Sequence, residues 1–304
     1  TSTTAIHNIS LPGNVAVTIV NNSMTRKISA SAITRLVEQL CIEACCVLAG
    51  DINNKLKSCL QTETSPLGKE ILGTLIENAR VAREESSPMC QDTGMTVVFV
   101  RIGQNVQVTG GFIEDAINQG VRQGYEKGYL RKSVVKDPLH RENTRDNTPA
   151  VIHYEIVPGD VFHITVSPKG FGSENKSALK MLTPSEGVEG VKRFVLETVS
   201  AAGGNPCPPI IVGVGIGGTM ERAAYLSKKA LLRPLDTQNP DSALAALEAE
   251  LLSEINKMGI GPAGFGGTTT ALGVNILTYA THIAGLPVSV NIGCHATRHA
   301  EGSL

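Results

Sequence analysis

The sequence predicts an α/β protein with a helical N-terminal part followed by mixed β-sheets flanked by helices, arranged as two lobes of one domain. Its 304 residues are 41% hydrophobic, which is enough for a large core. Apolar residues recur at helical spacing in the first third of the chain, and β-branched runs alternate with helical stretches after Pro88. No repeat or low-complexity linker divides the sequence, which favours one domain.

The individual elements follow from caps and periodicity. Residues 1–23 are interpreted as a leader or as an arm left by the expression vector, and residues 24–304 as the domain. Ser29 or Ser31 is the candidate cap of the first helix, and Ser65 is the candidate cap of the second. Helices are predicted over 33–48, 67–83, 113–125, 186–199, 221–232 and 242–258. Strands are predicted over 95–102, 150–157, 160–166, 208–214, 272–278 and 288–292.

Composition narrows the class of function. Lysine and arginine number 27 against 28 aspartate and glutamate, so the chain lacks the basic surface expected of a nucleic-acid or membrane-surface binder. Tryptophan is absent and aromatic residues make up only 4%, so platforms for stacking bases are lacking. The sequence contains neither an apolar stretch of about 20 residues nor the features of a signal peptide. We therefore expect a cytoplasmic protein with a small-molecule ligand or a protein partner.

Seven cysteines, an odd number without an export signal, indicate reduced thiols. Four of them are interpreted as small buried apolar side chains: Cys41, Cys45, Cys46 and Cys59. The other three, Cys90, Cys207 and Cys294, each lie in a loop beside a predicted strand, with Pro or Gly nearby. Zinc sites usually include a close pair of cysteines. Three isolated thiols therefore favour an iron-sulfur cluster with three protein ligands and one open iron, although isolated structural cysteines remain the alternative.

Other loops contain further candidate catalytic or ligand-binding residues. Asp92, beside Cys90, is either a general acid or base or a turn residue. The Gly-rich loops at 169–176 and 264–270 can present backbone N–H groups to a carboxylate or sulfide. A G-x-G-x-x-G pattern at 213–218 follows a predicted strand, which keeps an NAD-dependent oxidoreductase as the alternative from another class. Asp236 is at about the right distance for the acidic partner of that pattern, but it follows a helix rather than a strand.

Five motifs occur in one order along the chain: 90–94, 169–176 continuing to 182–187, 207–209 leading into 213–218, 264–270 and 291–299. Together they resemble the class I, iron-sulfur-dependent fumarate hydratases and the related L-tartrate dehydratases. The resemblance covers about residues 30–304 and corresponds to the α chain of a two-subunit enzyme. The stretches 183–187 and 294–299 look more like the fumarate hydratases, so L-tartrate dehydratase is the close rival.

The resemblance implies a 4Fe-4S cluster whose open iron acts as a Lewis acid in the reversible hydration of fumarate to L-malate. It implies three cluster ligands: Cys90, Cys207 and Cys294. It implies that Asp92 is the catalytic acid or base, working with a threonine of a β subunit. It implies a set of substrate contacts: Gln91, Arg131, an amide from Gly170 or Gly172, and His282. The expected assembly is an α2β2 or similar heteromer acting on a small dicarboxylate, and a structural or regulatory cluster protein is a third alternative.

Overall fold

The computed structural model describes residues 25–304, so the predicted leader at 1–23 lies outside the described residues. The helices are α1 (Ala30–Cys46), α2 (Gly50–Thr62), α3 (Pro66–Glu84), α4 (Ile113–Lys127), α5 (Phe171–Glu174), α6 (Gly187–Ala202), α7 (Met220–Ala230) and α8 (Ser242–Lys257). The strands are β1 (Arg26–Ser29), β2 (Met95–Gly103), β3 (Val106–Thr109), β4 (Val151–Val157), β5 (Phe162–Lys169), β6 (Ala178–Leu182), β7 (Ile210–Gly217), β8 (Ala271–Tyr279), β9 (Leu286–Gly293) and β10 (Ala300–Ser303). The predicted α/β class and the helical start are confirmed.

Two four-stranded sheets organise the chain. The first sheet has the order β10-β5-β2-β4, the second has the order β6-β9-β7-β8, and β1 pairs with β3 separately. Helices α1 and α4 cover the first sheet around the buried side chains of Ile117 and Phe162. Helices α6 and α8 cover the second sheet around Val195 and Leu251. Each sheet thus buries an apolar face against its own helix pair, which matches the predicted pair of lobes.

Both predicted helix caps are present. The Ser29 side chain accepts a hydrogen bond from the Ala32 N–H at 3.2 Å, so Ser29 rather than Ser31 is the cap of α1. The Ser65 hydroxyl accepts from the Gly68 N–H at 3.1 Å, with Pro66 at the first position of α3. Each cap satisfies an N–H group that the helix leaves free and is worth about 1 kcal/mol.

Sequence patterns missed two helices, α2 and the four-residue α5, and several short strands. Helix α2 carries only Ile52 and Leu56 as buried residues, so its apolar stripe is too narrow to detect. The missed strands β1, β3, β6 and β10 are four or five residues long. Such short strands show little alternation, and they form by pairing with strands that are distant in sequence.

Helix α7 lies between the two sheets. On one side, the Tyr225 ring packs against Phe99 and His153 of the first sheet, with ring centroids 5.9 and 5.1 Å apart. On the other side, the helix backbone rests on β7 of the second sheet, at Gly213 and Gly215. The two lobes therefore share one buried helix.

This packing explains the G-x-G-x-x-G pattern. A Cβ at Gly213 would lie 2.1 Å from the Ser227 carbonyl oxygen, and one at Gly215 would lie 2.1 Å from that of Ala223. Both glycines are inside β7, whereas a dinucleotide fingerprint needs them in the turn after the strand. The nucleotide-binding alternative is therefore not supported, because these glycines serve close strand-to-helix packing.

Among residues 25–304, the helices are all too short or too polar to cross a lipid bilayer.

Candidate functional site

Strand register brings two of the three loop cysteines together. Strands β7 and β9 are antiparallel, with Ile211 opposite Gly293. Cys207 precedes β7 and Cys294 follows β9, so both lie at the same end of the second sheet. The His295 backbone N–H and ring Nδ1 lie 3.4 and 3.0 Å from the Cys207 carbonyl oxygen, which ties the two loops directly. Burial lowers the pKa of His295, and a neutral ring with a proton on Nδ1 would donate to this carbonyl.

Cys90 reaches the same place from the helical part of the chain. The Met89 N–H donates to the Cys45 carbonyl at the end of α1 at 3.0 Å, and the Asn78 side chain of α3 donates to the Met89 carbonyl at 2.8 Å. Cys90 and Cys294 then pack against one apolar cluster that also contains Ala296. Three separate parts of the chain therefore hold the three loop cysteines at one junction.

The thiols are close enough to influence one another. Burial raises the pKa of Cys207, and the charges of Cys294 and Cys90 raise it further. Burial also raises the pKa of Cys294, while the nearby cations Arg298 and Lys169 lower it. Like-charge effects of this kind weaken with distance, which is consistent with the three thiols lying in one region of the structure. Cys41, Cys45 and Cys46 are buried as predicted, and Cys59 is half-buried.

Arg298 provides a buried positive charge near these thiols. It is only 3% exposed, and its guanidinium donates to the Asp92 carbonyl. Burial opposes its charge, but the thiols of Cys45, Cys294 and Cys90 raise its pKa. Within residues 25–304, the Nε atom of Arg298 is buried without a hydrogen-bond partner. A buried cation with an unused donor is costly unless an anionic group lies against it.

This donor set fits a 4Fe-4S cluster. Three thiols match a cluster that leaves one iron open, and Arg298 and Lys169 can offset the charge of thiolates and sulfides. Among residues 25–304, no three His, Cys, Asp or Glu side chains are grouped to hold a single metal ion.

The loop that follows Cys90 fixes the Asp92 carboxylate on both sides. Its Oδ1 accepts from the Gly94 N–H at 2.9 Å, and its Oδ2 accepts from the Phe171 N–H at 3.0 Å. The buried Tyr125 hydroxyl holds the same loop by donating to the Thr93 carbonyl at 2.7 Å. Asp92 is therefore a turn residue, as the alternative interpretation held, and it also receives a donor from 79 residues away.

A cavity of about 570 Å³ opens beside Asp92. Gln91 and Arg131 line it with Asp92, so three of the residues proposed from sequence share one wall. The Thr93 hydroxyl donates to the Arg131 carbonyl at 2.9 Å, which explains how Arg131 comes to this place. Arg141 also lines the cavity. Two guanidinium groups and a carboxylate make a site suited to a small dicarboxylic acid.

The two candidate glycines take different places. Gly170 precedes the short helix α5, and a Cβ there would lie 3.2 Å from Asp92 Oδ2. Gly172 is exposed within α5. The amide from this loop that contacts Asp92 belongs to Phe171, which also lines the cavity. The loop thus contacts the Asp92 carboxylate directly.

His282 is not brought to this cavity. It lies between β8 and β9, beyond the C-terminal end of β7, whereas Cys207 precedes the N-terminal end of β7. The eight residues of β7 separate the two places by roughly 25 Å at about 3.3 Å per residue. Within one chain, therefore, His282 and the three loop cysteines lie at opposite ends of the second sheet.

The Gly-rich loop at 264–270 binds a carboxylate of the chain itself. Glu63 is 2% exposed and accepts from the N–H groups of Thr268 and Thr269, at 2.9 and 2.8 Å to its nearer oxygen atoms. The same segment supports the Cys207 loop, because the Ala263 N–H donates to the Pro208 carbonyl at 2.8 Å. Glu63 therefore holds the loop that backs one candidate cluster ligand.

Replacing Glu63 by Gln is expected to lower stability near neutral pH. Burial would raise the pKa of Glu63, but hydrogen bonds from Ser65, Thr268 and Thr269 lower it to about 2 from its ordinary 4.5. The resulting stabilisation, about 3 kcal/mol, is present above pH 4.5 and is lost as the pH falls towards 2. We expect Glu63→Gln to lower the melting temperature by about 5 °C or more at pH 7 and by less than half as much at pH 3.

The matched control is Glu70→Gln, which changes an exposed carboxylate on α3. Thermal unfolding followed by circular dichroism at both pH values measures the difference. Equal melting temperatures of Glu63→Gln and Glu70→Gln at pH 7 would contradict the role given to Glu63.

Four residues at or near the site escaped the sequence analysis as site residues: Glu63, Arg141, Lys169 and Arg298. Lys169 and Arg298 were inside quoted motifs, so a charged residue within a Gly-rich or Cys-containing loop was an available signal. Arg141 lies among Asp, Asn and Thr residues in the segment 131–148, a composition typical of a solvated loop. Nothing in the local sequence marked Glu63 as the carboxylate that binds the 264–270 loop, because its partners in that loop lie about 200 positions later, with Thr269 separated from it by 206 residues.

Comparison with known proteins places this chain in a family. The family model described as "Fumarate hydratase (Fumerase)" matches residues 34–303. The "Putative L(+)-tartrate dehydratase subunit alpha" of Methanocaldococcus jannaschii is 45% identical over 274 residues, covering 88% of this chain and 96% of that protein. The L(+)-tartrate dehydratase subunit alpha of Escherichia coli (strain K12) is 38% identical over 258 residues, and that of Shigella sonnei agrees to the same extent, each alignment covering 84% of both chains.

Fold, site and matches together define a hydro-lyase, an enzyme that adds or removes water at a carbon–carbon bond. The chain belongs to the fumarate hydratase (Fumerase) family.

Proposed function

We propose that this chain is the α subunit of a 4Fe-4S-dependent hydro-lyase that acts on a four-carbon 2-hydroxy dicarboxylate. One observation carries the proposal: Gln91 and Asp92, which directly follow Cys90 in the chain, line a cavity together with Arg131 and Arg141. Cys90, Cys207 and Cys294 would hold the cluster. The bound cluster would supply a Lewis acid that polarises the C–O bond of the substrate hydroxyl.

The protein residues would bind the substrate and move one proton. Arg131 and Arg141 would bind the substrate carboxylates, and Gln91 would orient the substrate by hydrogen bonding. Asp92 would take the proton from the carbon next to the one that bears the hydroxyl, and in the reverse direction it would return that proton. The N–H groups of Gly94 and Phe171 hold its carboxylate in one orientation, which limits the entropy lost at the transition state.

L-malate and fumarate are the substrate pair we propose first, on the family model and on the motifs at 183–187 and 294–299. L-tartrate is the second candidate, favoured by the names of the relatives at 38–45% identity. Dehydration of L-malate yields fumarate and water, whereas dehydration of L-tartrate yields an enol that becomes oxaloacetate. Rejecting either substrate requires polar contacts to one hydroxyl group.

The cavity is open on one side, and the relatives are named as α subunits, so we propose a β subunit that completes it. That subunit would supply the remaining acid or base. His282 lies too far from the cavity of its own chain and can contribute only to the site of a neighbouring copy, which suits an assembly with two α chains.

The deciding experiment is an anaerobic assay of the chain co-expressed with its β subunit. Initial rates with L-malate, L-tartrate and methylated analogues identify the substrate by kcat/KM. Turnover of L-malate well above that of L-tartrate supports the first candidate, and the reverse order supports the second. An absence of turnover with all of them would remove the proposed reaction.

Arg131→Met is expected to weaken substrate binding. Loss of a charge-assisted hydrogen bond to a carboxylate should raise KM by about 10- to 100-fold, with a smaller change in kcat. Arg80→Met, which removes an exposed arginine from α3, is the control and should leave KM unchanged. An unchanged KM in Arg131→Met would exclude Arg131 from the substrate site.

A further inference from the structure

Lys169 is a buried cation at the end of β5. It is 7% exposed, and its Nζ lies 2.7 Å from the Ser173 hydroxyl, 3.2 Å from the Gly170 carbonyl and 3.4 Å from the Glu174 carboxylate. Burial lowers the pKa of Lys169 to about 8, although Glu174 opposes this change. An ammonium group kept in such a place needs polar partners in a defined geometry.

The carbonyl that Lys169 contacts belongs to the same peptide group whose N–H donates to Asp92. The Gly170 C=O and the Phe171 N–H are the two sides of one peptide group, and this peptide is trans. Its C=O and N–H therefore point in opposite directions. The ammonium of Lys169 binds the oxygen side, and Asp92 Oδ2 accepts from the nitrogen side at 3.0 Å.

Close packing leaves this peptide little room. Met95 of β2 pairs with Lys169 of β5, so the turn from Asp92 to Gly94 runs directly over the Lys169 backbone. A Cβ at Gly94 would lie 2.7 Å from the Lys169 carbonyl carbon. The Asp92 carboxylate, the Gly170–Phe171 peptide and the Lys169 ammonium are thus linked by hydrogen bonds in close packing. A rotation of the peptide would therefore move the carboxylate.

We propose that Lys169 is a positioning residue for the hydro-lyase reaction: its ammonium holds the Gly170–Phe171 peptide, and this peptide holds the Asp92 carboxylate towards the substrate. The inference rests on the proposed role of Asp92 as the acid or base. A charge on the carbonyl side also polarises the peptide and strengthens its N–H as a donor. Loss of the ammonium therefore affects kcat, through the orientation of Asp92, more than it affects substrate binding.

The neighbouring Lys228 offers a matched control. Its Nζ pairs with the Oε1 atom of Glu174 at 2.5 Å, whereas Lys169 approaches Oε2 of the same carboxylate. Lys228 is therefore part of the same charged cluster, yet its recorded hydrogen bond goes to Glu174 and not to Gly170. Replacing it perturbs the charge around Glu174 and leaves the contact between Lys169 and the Gly170 carbonyl in place.

The test compares Lys169→Met, Ser173→Ala and Lys228→Met in the complete enzyme with its β subunit. The Gly170 carbonyl also accepts from the Ser173 hydroxyl at 3.2 Å and from the Glu174 N–H at 3.1 Å. Ser173→Ala removes the first of these two donors and provides a milder variant if Lys169→Met does not fold. We expect Lys169→Met to lower kcat by about 10- to 100-fold with little change in KM. Residue-resolved hydrogen exchange at the Phe171 N–H should be about tenfold faster in Lys169→Met, intermediate in Ser173→Ala and unchanged in Lys228→Met.

The outcomes separate this inference from the proposed function. If the Phe171 N–H exchanges at the unmodified rate in both Lys169→Met and Ser173→Ala, the positioning role is wrong and the proposed reaction stands. If Lys228→Met reproduces the effects of Lys169→Met, the charge of the whole cluster matters and the specific role of Lys169 is wrong. If Asp92→Asn retains full turnover, the proposed role of Asp92 fails, whatever the exchange rates show.

Discussion

Asp92→Asn is expected to lower kcat by about 10²- to 10⁴-fold, the range typical of a lost general acid or base. The carboxylate is the only acidic group among the described residues lining the cavity, and two backbone N–H groups hold it in one orientation. An asparagine side chain keeps the shape but cannot take a proton from carbon. The measurement is the steady-state rate of the complete enzyme under anaerobic conditions, with each candidate substrate.

Two measurements distinguish lost chemistry from lost structure. An amide NH₂ at position 92 must face the N–H of either Gly94 or Phe171, so some loss of stability is expected as well. The melting temperature and the iron content of Asp92→Asn should therefore accompany the rate. Asp115→Asn, at an exposed position in the first turn of α4, is the control and should keep full turnover. Turnover of Asp92→Asn within a few-fold of the unmodified enzyme would exclude the proposed role.

Cys207→Ser is expected to abolish the cluster. A serine hydroxyl is a poor iron ligand compared with a thiolate, and only two of the three loop thiols would remain. Iron content should fall from about four atoms per chain to below about one, and the broad visible absorption of the anaerobically purified protein should disappear. Because Cys207 is exposed, the substitution leaves no cavity in the core, and the melting temperature before cluster loading should change little.

Cys59→Ser is the matched control for this substitution. Cys59 is half-buried in α2, where burial raises the pKa of its thiol and Lys55 and Glu63 are its charged neighbours. The visible absorption and iron content of the Cys59→Ser protein should match those of the unmodified chain. A brown Cys207→Ser protein with about four iron atoms would show that Cys207 is not a ligand and would leave the proposed cluster without its donor set.

Much of the fold was predictable because long helices and strands carry their own periodicity. Helix α3, with Ser65 as its cap and Pro66 in its first turn, is an example in which local chemistry and tertiary packing agree. Strand β10 is the opposite case, since Ala300–Ser303 forms only because β5 offers it an antiparallel partner more than 130 positions earlier. Such pairings leave no local pattern.

The candidate site was likewise predictable from the sequence only in part. Its reactive residue types, Cys90, Cys207, Cys294 and Asp92, were visible in the sequence because thiols and a carboxylate in Gly- and Pro-containing loops are chemically distinctive. The position of His282 was not predictable from the sequence. The order of the motifs suggested that His282 lies near the loop cysteines, but the length of β7 separates them.

By itself, the sequence determined the α/β class, the main helices and the chemistry available, since these depend on side-chain type and on spacing along the chain. Only the tertiary structure decided which residues meet. The antiparallel register of β7 and β9 brings Cys207 and Cys294 to the same end of the sheet. One peptide group accepts from Lys169 and donates to Asp92. The physical reason is that a metal cluster and a proton transfer both depend on distances of a few ångströms between atoms far apart in the chain, and packing sets those distances.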